Sequence, residues 1–224
     1  MKAAVLHSPG PITSRPLRIE DAPQPEPQPG QVLLRVRVCG VCRTDLHIVE
    51  GELAPLHETI IPGHQIVGEV LQDTTATHQP GTRVGVSWIG GVDGTCPYCR
   101  RGLENLCDSP TFTGYSSNGG YAECAIARAD FVFPLPAALD DLHAAPLLCA
   151  GIIGFRSLRV AGVEKGERVG LFWLRRVRAP RDSRSPRLEL RSLRIHSRRI
   201  APETCSLAWC SLGGDGDGSA APPT

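Results

Sequence analysis

The sequence predicts a mainly β fold with short helices, and three observations carry that prediction. Gly (24) and Pro (20) are both abundant, while aromatics make up 5% of the 224 residues, a balance that suits short strands and turns rather than a helical bundle. Several short segments alternate apolar and polar residues, the period of a strand with one face buried. Residues 89 to 120 are rich in Gly and Cys and read as a long loop, of a length that needs something to clip it together. The hydrophobic fraction of 41% excludes a wholly disordered chain, and the length gives one to two domains with a sizeable core.

Taken in order, Lys2 to His7 reads as a strand that ends at the turn Ser8-Pro9-Gly10-Pro11. Residues 22 to 30 alternate Pro with polar residues and suit an extended connector, because Pro cannot continue a helix. Gln31 to Val38 is a half-buried strand, with Val32, Leu34, Val36 and Val38 on one face and Leu33 as the exception to the alternation. Cys42 to Glu50 predicts a short helix with Arg43 or Thr44 near its start. Gln65 to Leu71 and Thr82 to Trp88 are further strands, each after a Gly-containing turn, and Tyr121 to Ala127 is another. Residues 137 to 161 read as helix interrupted at Gly151 and Gly154, and Glu167 to Phe172 begins like a buried strand. No internal repeat is present.

Charge divides the chain. Residues 1 to 172 hold 14 basic and 18 acidic side chains, and residues 173 to 224 hold 10 basic and 5 acidic. All ten bases of the second part are Arg, between Arg175 and Arg199. No apolar run approaches the roughly eighteen residues of a membrane span. The first residues lack the apolar core and cleavage site of a secretion signal. A cytoplasmic protein without a membrane partner is therefore expected, in which nine Cys read as metal ligands or free thiols before disulfides.

Four constellations bear on chemistry. Cys39-Gly-Val-Cys42-Arg-Thr-Asp-Leu-His47, Pro62-Gly-His64-Gln65 and Leu148-Cys149-Ala-Gly151 are weak signals singly, since a Cys is often a small buried hydrophobe and a His a satisfied structural residue. Asp93, Cys96, Cys99 and Cys107 are a stronger one, because such tight spacing lets ligand atoms converge on a single zinc ion.

Residues 1 to 172 closely resemble the amino-terminal part of the zinc-dependent medium-chain alcohol dehydrogenases. The resemblance runs through Val38 to His47, Ile61 to His64, Gly81 to Gly85, Cys96 to Cys107 with Glu104-Asn-Leu106, Asn118 to Glu123 and Leu148 to Gly151, in the family's order and spacing. It implies a GroES-like, partly open β-barrel over residues 1 to 150, with a zinc-loop lobe at 89 to 120. It further implies a helix and the first strand of a Rossmann domain over 151 to 172, and leaves 173 to 224 as an Arg-rich, disordered or out-of-frame tail. Residue by residue, Cys42, His64 and Cys149 match the catalytic zinc ligands, the known Cys2His set with an open position in alcohol dehydrogenases. Thr44 and His47 match the proton relay. Asp45 matches the carboxylate that orients the ligand His, although an acid in a helix's first turn is also favoured by the helix dipole and a Thr there serves as a cap. Asp93, Cys96, Cys99 and Cys107 match the structural zinc site, with Asp93 where the family usually has Cys. A carboxylate is a harder, less strongly donating ligand, so a weaker or absent structural zinc is expected. Gln65 stands where many members have Glu, and Cys39 and Cys124 are assigned to the core.

Family members continue into a Gly-x-Gly-x-x-Gly or Ala turn that holds NAD or NADP. Here Glu167 to Phe172 is followed instead by Trp173-Leu-Arg-Arg-Val-Arg-Ala-Pro180. Codons compatible with Trp173 to Ala179 read Gly-Phe-Gly-Ala-Ser-Ala when shifted by one base. A change of reading frame at about Phe172 or Trp173 would therefore account for the lost turn, and the corresponding DNA decides it. The function expected from the resemblance is interconversion of alcohols with aldehydes or ketones using NAD(P), impaired in this chain, with the family pointing to a homo-oligomer. The alternative is a non-catalytic zinc-binding module whose Arg-rich tail contacts nucleic acid, which the lack of an aromatic-bearing binding module disfavours.

Overall fold

A computed structural model describes residues 1–164, 169–177 and 187–195. The chain divides into two compact units at Ile153 and Gly154.

The first unit is mainly β. Strand β1 (Lys2–Leu6) pairs antiparallel with β2 (Leu17–Asp21). The principal sheet has five antiparallel strands: β3 (Gln31–Gly40), β4 (Gln65–Asp73), β5 (Arg83–Val86), β8 (Cys124–Arg128) and β9 (Phe133–Pro134), in the order β8-β3-β4-β5-β9. A small pair, β6 (Ile89–Gly91) with β7 (Thr111–Phe112), lies inside the Gly- and Cys-rich stretch. Helix α1 (Arg43–Glu50) follows β3, and α2 (Asp141–Pro146) leads into a π-helical turn, Leu147–Gly151; the next helix, α3 (Ile152–Val160), falls mostly within the second unit.

The alternation in β3 and its neighbours builds the core. Val32, Leu34, Ile66, Val70, Val84, Val86 and Ala125 are almost wholly buried together. Burying a Val, Leu or Ile side chain in this way stabilises by about 1.5–3 kcal/mol. Leu33, the exception to the pattern, is buried as well.

Helix α2 is docked where the second sulfur of the candidate site is needed. Ala144, Ala145 and Leu148 pack on Val67 of β4. A side chain at Gly85 would meet Leu148 Cδ2 at 2.6 Å, so glycine in β5 is what lets Leu148, the neighbour of Cys149, sit down on the sheet. Polar groups fix the same end: Asp140 caps α2 by accepting the His143 N–H at 3.0 Å, and Arg37 Nε donates to Asp141 Oδ2 at 2.8 Å.

In the second unit, β10 (Val169–Val177) pairs antiparallel with β11 (Arg187–Ile195), from Val169 opposite Ile195 to Val177 opposite Arg187. The strand expected over Glu167 to Phe172 is described from Val169 and runs on to Val177, and its partner lies in the stretch expected as tail. The other expectations for 173 to 224 fall outside the described residues. Among the described residues no helix is long and apolar enough to cross a membrane.

Candidate functional site

Helix α1 begins where it does because Cys42 caps it. The Cys42 backbone is extended (φ −126°, ψ 177°). Its sulfur accepts the Thr44 N–H at 3.3 Å, and its own N–H donates to Asp45 Oδ2 at 2.8 Å. This is a capping box with Cys and Asp in the roles usually taken by Ser or Thr and Glu or Gln. The cap is therefore the sulfur itself, at the first residue of the stretch expected to be helical, and the helix proper begins at Arg43.

His64 enters β4 wholly buried. Its Nδ1 lies 3.0 Å from Asp45 Oδ1, so Asp45 serves the helix cap with one oxygen and the imidazole with the other. A carboxylate at Nδ1 favours the tautomer that keeps the proton there and leaves Nε2 as a lone-pair donor. Nε2 lies 3.3 Å from Cys42 Sγ. The ring is held on its other side by Trp88, edge-on at 5.1 Å and 76°. Trp88 in turn stacks on Phe112 at 4.7 Å and on Tyr115 at 6.1 Å. Sequence reasoning missed this aromatic stack, because Trp88 lies just past the end of β5, Phe112 in the two-residue β7 and Tyr115 in the turn after it, with no shared periodicity.

Cys149 arrives from the far side, in the π-helical turn. Ligand atoms of Cys42, His64 and Cys149 all lie within 4.8 Å of one another. Burial and then the neighbouring Cys42 sulfur push the Cys149 thiol above its usual range, while the Gln65 side chain acts in the opposite direction. Two sulfurs crowded on an imidazole lone pair are a donor set that a borderline-soft divalent cation would relieve, and the residues fit zinc. Gln65 is itself buried, and its Oε1 occupies the space where a side chain at Gly40 would project. Cys39 behaves as a core thiol, pushed up to about 12 chiefly by burial, and Cys124 is buried.

Thr44 and His47 stand one turn apart on α1, both half-buried. His47 Nδ1 meets Glu52 Oε2.

The second cluster joins Asp93, Cys96, Cys99 and Cys107, with ligand atoms again within 4.8 Å of one another. Asp93 Oδ1 accepts the N–H groups of Thr95 at 2.7 Å and Cys96 at 2.8 Å. Those bonds, the Cys96 N–H foremost, hold its carboxyl well below the usual carboxylate range. The second oxygen faces Cys107 Sγ at 3.3 Å. Cys107 Sγ also accepts N–H groups of Asp93 and Ser109, each at 3.4 Å. One carboxylate oxygen is thus tied to the backbone and the other is turned to the thiols, an arrangement that fits a metal with a single oxygen from Asp93.

A mainly β domain that gathers two Cys and a buried, carboxylate-held His defines the class: residues 28–137 match the alcohol dehydrogenase GroES-like domain. The chain is 44% identical over 179 residues to the probable alcohol dehydrogenase AdhA of Mycobacterium tuberculosis, covering 77% of this chain and 52% of that protein. It is 39% identical to an alcohol dehydrogenase of Geobacillus stearothermophilus, covering 77% and 51%. Among solved structures, AibC superposes with a TM-score of 0.68 at 34% identity, over 75% of this chain and 47% of that one. A thermostable alcohol dehydrogenase of Pyrobaculum aerophilum, bound to cobalt and zinc, superposes with a TM-score of 0.66 at 29% identity, over 75% and 50%. This chain carries the alcohol dehydrogenase GroES-like domain and resembles the zinc-dependent medium-chain alcohol dehydrogenases over about three quarters of its length. It spans about half the length of the curated relatives it matches.

Proposed function

We propose that this chain carries the zinc-binding catalytic half of an alcohol dehydrogenase that interconverts alcohols with aldehydes or ketones using NAD or NADP. The observation that carries the reading is the convergence of Cys42, His64 and Cys149, with Asp45 behind the imidazole. Cys42 and Cys149 would hold the catalytic zinc through sulfur and His64 through Nε2. When bound, zinc would supply Lewis acidity that eases loss of the alcohol proton, and the hydride acceptor of such an enzyme would be a nicotinamide held outside the described residues. The chain's own residues do the rest. Asp45 keeps Nδ1 of His64 protonated and so keeps Nε2 available. The Thr44 hydroxyl takes the alcohol proton and hands it to His47, whose ring is open to solvent. Asp93, Cys96, Cys99 and Cys107 would hold a second, structural zinc.

Cobalt substitution tests the reading without turnover. Thiolate-to-cobalt absorption should fall in Cys42→Ser and in Cys149→Ser while the Asp93 cluster keeps its share, and the reverse should hold in Cys107→Ser. Equal spectra for wild type and Cys42→Ser would refute the catalytic centre. Because no Gly-rich turn occupies residues 173 to 180, NAD(P)-dependent turnover by the purified chain should be undetectable, and measurable turnover would overturn that part.

The Asp93 cluster gives its own expectation. Asp93→Cys replaces a hard oxygen by a thiolate, the softer and more strongly donating ligand. The structural zinc should then resist a chelator longer than in wild type, read as a slower release of zinc to a colorimetric chelator. Faster release would show that the carboxylate is the better partner for these three thiols.

A further inference from the structure

We propose that Glu52 is a positioning residue for His47, holding its imidazole with the proton on Nδ1 so that Nε2 is the ring's sole acceptor. The proposal rests on the proton-relay reading of His47, and it extends that reading to a residue outside the helix.

The geometry is built by the end of α1. Gly51 caps the helix in the left-handed region (φ 78°), and its N–H donates to Ile48 O at 3.2 Å. A side chain there would also meet Pro9 Cβ at 2.9 Å, so glycine is required on two counts. The chain then folds back, and the Leu53 N–H donates to His47 O at 3.2 Å. Glu52, between Gly51 and Leu53, is thereby returned over the last turn with Oε2 on His47 Nδ1. Its other oxygen, Oε1, lies 3.7 Å from Arg43 Nη2, an exposed ion pair.

On α1, Glu50 accepts the Ile12 N–H at 3.2 Å and Asp45 is taken by Cys42 and His64. Glu52, with Arg43 behind it, is the charged pair that the structure sets against the imidazole. In a neutral ring one nitrogen donates and the other accepts, and the partner of the donor fixes which is which. A carboxylate accepts only, so Nδ1 must be the donor. A proton arriving at Nε2 gives an imidazolium that stays paired with the carboxylate. Loss of that same proton from Nε2 to water restores the starting ring, and Glu52 remains ionised throughout. The half-exposed setting (side chains 34% and 51% exposed) leaves Nε2 a route to solvent and limits the strength of the pair through solvent screening.

The test reads the tautomer by long-range proton–nitrogen correlation in the zinc-loaded chain, with the His47 resonances assigned by their loss in His47→Gln. Wild type should show His47 with Nδ1 protonated. In Glu52→Gln the ratio of the Nδ1–H to the Nε2–H form should drop about two- to fivefold, the size an exposed ion pair allows, and Glu52→Asp should restore part of it. Zinc content should not change. Wild type already resting in the Nε2–H form, or an unchanged ratio in Glu52→Gln, overturns the proposal. A wild type that binds no zinc at Cys42, His64 and Cys149 overturns the dehydrogenase reading instead, a failure the tautomer ratio does not share.

Discussion

The Asp45→Ala chain is expected to bind zinc at the Cys42, His64 and Cys149 centre about 10- to 100-fold more weakly than wild type, the usual effect of removing a carboxylate behind a ligand His. Asp45 is buried (2% exposed) and serves two groups at once, the Cys42 N–H at 2.8 Å and His64 Nδ1 at 3.0 Å. Its removal therefore acts on two of the three ligands together. The imidazole is freed to take the other tautomer, with Nε2 protonated and unable to bind metal. The start of α1 loses its capping box, so Cys42 is no longer held at one place. Each buried donor left without a partner costs about 1–3 kcal/mol, so the metal-free chain should also melt earlier. Asp45→Asn separates the contributions: the amide oxygen still accepts from Nδ1, so stability should partly recover, while the negative charge that makes the imidazole a better donor stays lost. Competition with a chelator of known zinc affinity, alongside a thermal melt, measures both. An Asp45→Ala chain that keeps wild-type zinc affinity would mean that packing, with Trp88 on the ring, suffices to orient His64.

The alternation in Gln31 to Val38 was enough to find β3, which runs Gln31–Gly40, because one face of that strand is sealed by the core. The helix expected over Cys42 to Glu50 is α1, with Cys42 as its cap rather than its first helical residue. What escaped were features set by partners far along the chain. Leu17–Asp21 is a strand because β1 pairs with it, and its own residues show little burial contrast. The expected strand from Thr82 to Trp88 ends at Val86, and the long loop holds β6 and β7 as a short pair, which only tertiary contact selects. Helix 137 to 161 begins later, at Asp141, and changes to a π turn over Leu147–Gly151, a change of register that a 3.6-residue period cannot display. In the candidate site, resemblance supplied the Cys, His and Asp residues by position. Trp88 and Glu52 had no such marker: one acts through ring packing, the other through a left-handed glycine that turns the chain back on its helix.

Gly119→Ala should damage the same metal centre without touching a ligand. The segment Ile61-Pro62-Gly63 delivers His64, and the stretch from Asn118 to Tyr121 cradles it. Asn118 Oδ1 accepts the Ile61 N–H at 3.0 Å. The N–H groups of Gly119, Gly120 and Tyr121 donate to Ile61 O at 2.6 Å, Gly63 O at 2.8 Å and Pro62 O at 3.0 Å. Two backbones this close leave no room for a side chain: a Cβ on Gly119 would stand 2.0 Å from Gly63 O and 2.7 Å from Pro62 O. Neither atom belongs to a flexible side chain, so the 61–63 segment must move, and His64 moves with it. Overpacking of this kind costs about 1–3 kcal/mol or more. The imidazole would be carried off its 3.0 Å contact with Asp45 Oδ1, and zinc affinity at that centre should fall at least about tenfold, a loss of the size seen when a ligand's supporting contact fails. The Asp93 cluster is closed by its own local hydrogen bonds and should keep its metal. Gly94→Ala is the matched control. Gly94 also has a positive φ (68°), but a side chain there meets nothing within 4 Å, so it strains the backbone of the other cluster and leaves His64 in place. Cobalt spectra of the two variants should therefore lose opposite components, and a Gly119→Ala chain with the wild-type spectrum and melting temperature would show that the 61–63 segment yields without carrying His64 away from Asp45.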